Sequence, residues 1–91
     1  MSNSFIVFPH FAHMFNRYTT EDKEIINKVG QKIKQLRNKH AISQNELALR
    51  AEIPKNQVGR IERGQINTSL VTLNRIAKAL EEELWVLFSA K

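Results

Sequence analysis

The chain has 91 residues, 42% apolar and 25% charged, with three Gly, two Pro and no Cys. That composition fits one ordinary folded domain. It excludes collagen, low complexity and wholesale disorder, and leaves neither a disulfide framework nor a thiolate zinc site or cysteine nucleophile. Fourteen Lys and Arg stand against nine Asp and Glu, and residues 28–63 concentrate the excess, with nine bases against three acids, so a polyanionic partner is expected.

The longest uninterrupted apolar run, Leu84 to Phe88, is far too short to span a membrane, and the N-terminus lacks the basic residues that open a signal peptide. A soluble cytoplasmic protein is expected. Residues 1–18 differ from the rest. Phe5, Phe8, Phe11, Phe15 and Tyr18 recur at helical spacing around a single charge, Arg17, and Pro9 limits any helix to about Pro9–Arg17. Such a stripe is an N-terminal aromatic extension suited to core packing, to a dimer contact or to a protein partner.

Residues 19–91 read as the main domain. Thr20, followed by Glu21, Asp22 and Glu24, predicts an N-cap, and Ile25, Val29, Ile33 and Leu36 predict the buried face of a first helix running to about Asn38, with lysines outside. Ser43-Gln44-Asn45-Glu46 has the form of a capping box and starts a second helix whose inner side is Leu47, Ala48 and Ala51. Pro54 ends that helix and opens a third, which should stop at Gly64. Thr68 or Ser69 caps a fourth helix carrying Leu70, Leu73, Ile76, Ala77 and Leu80, and Leu84 to Phe88 adds a final turn or two. No strand alternation is present, so the fold class is all-α.

The segments VGQKIKQLR, ISQNELALRA, IPKNQVGRIERG and SLVTLNRIAKAL, in this order and spacing, resemble the helix-turn-helix domains of the Cro and phage-repressor type, also called the XRE family. The resemblance covers about two-thirds of the chain and implies five packed helices, with the third in the DNA major groove and the second crossing above it. The third helix has the chemistry for that place. Val58 and Ile61 fall on one side, while Lys55, Asn56, Gly59, Arg60 and Arg63 share the other. Lys55 and Arg60 suit guanine O6 and N7, and Asn56 suits adenine N6 and N7. The alternative for such a stripe is a solvated helix face.

The resemblance implies further roles. Gln44, with exposed Asn45 beside it, would meet a phosphate at the start of the second helix, and Arg63 with Gln65, Asn67 and Thr68 would form a second backbone clamp. Arg37 and Glu62 would form a buried structural ion pair. Three residues depart from the pattern. Glu52 and Glu81 stand where glycine is usual, so the turn at Glu52 is expected to be less tightly left-handed, and Gly59 interrupts the recognition helix, where it is expected to admit close approach of the DNA as a fourth base-contact position beside Lys55, Asn56 and Arg60.

An enzyme lacks its residues here: no GxxxxGK loop, no HExxH and no Cys. His10 and His13 are three apart, but two ligands without a nearby acid make no metal site, and no cofactor is implied. A homodimer on double-stranded DNA is expected, because one recognition helix reads only a few base pairs. Trp85 and Phe88 are candidates for its contact or for the monomer core. The other reading is an antitoxin whose residues 1–18 bind a toxin protein.

Overall fold

The structure, a computed structural model, describes residues 17–90, and every regular element among them is helical. Helix α1 spans Thr20–Lys39, α2 Gln44–Ala51, α3 Lys55–Glu62 and α4 Leu70–Ala79, and a 3-10 helix follows at Leu84–Phe88. The expected fifth helix is therefore a 3-10 element, whose i to i+3 bonds suit so short a segment. Of the extension expected over residues 1–18, all but Arg17 and Tyr18 lies outside the described residues, Phe5, Phe8, Phe11 and Phe15 included, as do His10 and His13.

Side chains cap three of the four starts. Thr19, one residue before the expected cap, accepts from the Asp22 N–H, and Asp22 accepts from the Thr19 N–H, each at 3.0 Å. The box belongs here rather than at α2. Ser43 does accept from the Glu46 N–H at 3.0 Å, but the Glu46 carboxylate turns to Arg50 Nε at 2.9 Å. Ser69, not Thr68, caps α4 through the Thr72 N–H.

All four α-helices end in one motif, in which the residue after the last turn is left-handed and the next N–H reaches back to close the helix. The Ile42, Ile53, Gln65 and Glu82 N–H groups donate to the carbonyls of Arg37, Ala48, Arg60 and Ala77 at 3.3, 3.1, 2.9 and 2.9 Å. The left-handed residues are Ala41, Glu52, Gly64 and Glu81, with φ of 56°, 59°, 71° and 59°. The turn at Glu52 is thus fully left-handed, against expectation. Ile42 and Ile53, each just past a left-handed residue, pack against the core, and that burial holds the turn without glycine.

The core gathers Val29, Ile33 and Leu36 from α1, Leu47, Ala48 and Ala51 from α2, Val58 and Ile61 from α3, and Leu73, Ile76 and Ala77 from α4, with Leu80 and Leu87. Ile25 and Leu70, expected inside, are exposed, whereas Lys32, expected outside, lays its stem down and is buried. Trp85 and Phe88 do not join the core; they are 67% and 44% exposed. With three residues per 3-10 turn, Leu84 and Leu87 share the inner side, and Trp85 and Phe88 share the outer one. A Cβ on Gly30 would run into the Ile61 carbonyl oxygen, so α1 and the end of α3 touch backbone to backbone.

Beside that crossing, Arg37 Nε and Nη2 donate to Glu62 Oε2 and Oε1 at 2.6 and 3.0 Å, and Arg37 Nη1 donates to the Ile42 carbonyl at 3.0 Å. The Glu62 side chain is 2% exposed. Its hydrogen bonds and charge raise the Arg37 pKa above the ordinary value, against the opposing effect of burial.

Glu62→Ala is expected to lower the unfolding free energy by about 3–5 kcal/mol, since it strands a largely buried guanidinium; an unchanged urea midpoint would contradict this. Glu52→Gly should have the opposite effect. Relief of the left-handed strain exceeds the added freedom of the unfolded chain, for a gain of about 0.5–1 kcal/mol, and a lowered melting temperature would show that Glu52 is not strained.

Candidate nucleic-acid interface

Helix α3 begins at Lys55 behind Pro54, whose φ of −58° sets the entry but whose side chain offers no cap. Val58, Ile61 and Glu62 point inward, and this fixes the rotation of the helix. Lys55, Asn56 and Arg60 are consequently exposed, and so is Arg63, the residue that caps the helix end. Among the described residues none of the bases Lys55, Arg60 and Arg63 enters an ion pair, whereas Arg37 and Arg50 do. The exposed side of α3 is therefore cationic and carries the amide of Asn56.

Gly59 does not share that exposure. It is buried, and a Cβ on it would lie 3.0 Å from Arg63 Nη1 and 3.2 Å from Gln44 Oε1, so two flexible tips cover it. Gln44, the first residue of α2, is held there by its amide, which donates to Glu62 Oε1 at 2.9 Å. This link was not visible in the sequence. Gln44 and Glu62 are 18 residues apart, and no local pattern joins them. Asn45 beside it is exposed.

The loop into α4 divides its residues. Gln65 Oε1 accepts from Arg63 Nη2 at 3.3 Å, which adds it to the surface of Gln44, Gly59 and Arg63. Asn67 turns to the start of α1, where its Nδ2 donates to Tyr18 Oη at 3.2 Å, and Thr68 is half-buried. The Asn67 and Arg17 donors lower the Tyr18 pKa below the usual phenol value. His40 ends α1 with Nε2 3.9 Å from Glu82, away from these residues in sequence and in contacts. Among the described residues no three His, Asp or Glu are grouped to hold a metal, and no helix is long and apolar enough to cross a membrane.

The family model for helix-turn-helix domains, HTH_3, matches residues 33–84. The immunity repressor protein of Bacillus phage phi105 is 40% identical over 52 residues, which cover 57% of this chain and 36% of that protein. The control protein C.BamHI of Bacillus amyloliquefaciens is also 40% identical over 52 residues, covering 56% of this chain and 64% of its own length. The chain thus spans about a third of the first relative and less than two-thirds of the second. Among solved structures, the restriction-modification controller protein C.AhdI from Aeromonas hydrophila superposes with a TM-score of 0.68 at 40% identity, over 69% of this chain and 96% of that one. With the family pattern running through more than half of its residues and its helices laid out as in that controller, this chain belongs to the helix-turn-helix family HTH_3.

Proposed function

We propose that the protein is a sequence-specific double-stranded DNA-binding transcriptional regulator, a repressor that occupies a palindromic operator as a homodimer. The observation that carries this reading is the outward face of α3, where three bases without acidic partners flank Asn56 on a helix whose rotation the core fixes. Lys55, Asn56 and Arg60 read base edges in the major groove. Arg63, Gln65, Asn67, Thr68 and Asn45 meet phosphates, and Gln44 contributes backbone N–H at the start of α2, its side-chain amide being engaged by Glu62. Gly59 serves as the floor under Gln44 and Arg63 rather than as a reading residue.

A homodimer places two such helices about one DNA turn apart, roughly 34–36 Å. Trp85, exposed on the 3-10 helix, and Leu70 and Val71 at the start of α4 are apolar surface available to it. The names of the relatives, a repressor and two controllers, support regulation and lend nothing to a toxin-binding role for residues 1–18.

Selection of bound sites from random duplexes is expected to yield a consensus with two-fold symmetry. Asn56→Ala and Arg60→Ala should relax the preference at particular positions, at about 1–3 kcal/mol per lost contact; uniform weakening over all sequences would remove them from base reading. Arg63→Ala should instead weaken every site alike and reduce the slope of log K against log salt by about 1. An unchanged slope would take Arg63 out of phosphate contact.

A further inference from the structure

The first half of α1 carries a polar stripe that the proposed DNA contacts leave unused. Thr20, Lys23, Glu24 and Asn27 fall at helical spacing on one face, and they line an open groove whose other side is Arg63 and Gly64, at the end of α3. The approach is close. A Cβ on Gly64 would lie 2.9 Å from Asn27 Oδ1, so the left-handed turn that closes α3 rests against this stripe. The stripe precedes residue 33, where the family pattern begins.

Lys23 from α1 and Arg63 from the end of α3 bring two cations to one groove. Among the described residues the side chains of Thr20, Lys23 and Asn27 have no hydrogen-bond or ion-pair partner, and that of Arg63 bonds only Gln65. Their donors are free for a ligand. Glu24 is the opposing charge, and it stands at the rim, since it also lines the neighbouring groove with Glu21, Ile25 and Lys28. Asp22 turns away to the Thr19 N–H. Two cations and an amide on open polar surface suit an anion that runs past rather than one that is enclosed, and a phosphodiester strand is such an anion. Arg63 joins the two surfaces, because it borders this groove and also lies over Gly59 beside Gln44.

We propose that Lys23 and Asn27 hold a DNA backbone phosphate next to the one met by Arg63, which carries the duplex interface onto the first half of α1. The assignment rests on the reading of the protein as a duplex binder. Lys23 supplies charge, Asn27 supplies a directed N–H, and Glu24 restrains the affinity. A phosphate carries no base identity, so these contacts set register and strength and leave base preference alone.

The test uses the full chain and two duplexes, one with the selected consensus and one of unrelated sequence, over a salt titration. Lys23→Ala should weaken both complexes alike and reduce the slope of log K against log salt by about 1. Ethylation of one particular phosphate in each half-site should interfere with binding by the unaltered chain but not by Lys23→Ala. Asn27→Asp, which keeps the shape and adds a charge, should also weaken both complexes, and Glu24→Gln should strengthen them. Lys78→Ala removes a cation exposed on α4 and should leave the slope unchanged, which separates contact from net charge. An unchanged slope in Lys23→Ala, with Arg63→Ala still reducing it, overturns this assignment alone. Failure of the unaltered chain to bind either duplex overturns the duplex reading together with it.

Discussion

The domain depends on a carboxylate that has lost its water. Glu62 sits on α3, and its two oxygens accept from Arg37 of α1 and Gln44 of α2, so one ion fixes three helices at one point. A buried charge left alone costs several kcal/mol; here the bidentate arginine and the amide offset that cost. Apolar residues of the same volume would hold the helices as firmly. What the carboxylate adds is direction, because its lone pairs dictate where the guanidinium and the amide lie. Gly30, with no room for a Cβ against the Ile61 carbonyl, sets the depth at which α1 meets this point.

Much of this fold was legible because it rests on local rules. The apolar spacing of α1, α2 and α4, Pro54 before α3, and Ser43 and Ser69 at helix starts follow from periodicity and capping, which need only a few neighbouring residues. The misses have physical reasons. Thr19 and Thr20 are chemically equal as caps, and Thr19 wins because Asp22 then falls where it can return the bond. Glycine was the signal sought for left-handed helix ends, yet three of the four ends use Ala41, Glu52 or Glu81. At Ala41 and Glu52 a half-buried isoleucine one residue later packs against the core, and the strain is balanced at a position other than the one that bears it.

Ile25 and Leu70 were misplaced for a different reason, and of the two places open to Trp85 and Phe88 the monomer core is not the one they take. Amphipathic spacing says which side chains share a face, but not how far a neighbour extends to cover it. The 3-10 helix, five residues long, reaches α1 and α4 with Leu87 and leaves the outer pair uncovered. The exposed face of α3 was the most legible part of the candidate interface, since burying Val58 and Ile61 forces Lys55, Asn56 and Arg60 outward. Contacts between residues distant in sequence, such as Gln44 with Glu62 or Asn67 with Tyr18, left no local trace.

Gly59 joins these two levels. Judged within its helix it is a defect, costing about 1 kcal/mol relative to alanine. Judged from α2 it is a slot. With no Cβ in the way, Gln44 lies across α3 with its amide on Glu62, and Arg63 folds back over the same spot to meet Gln65. A methyl group there would crowd both tips at 3.0–3.2 Å, too close to leave their positions unchanged. The surface around the start of α2 and the end of α3 is thus assembled over a missing side chain and tied beneath to the buried carboxylate. Core packing and surface shape at this site are set by the same few atoms, so disturbance of one is transmitted to the other.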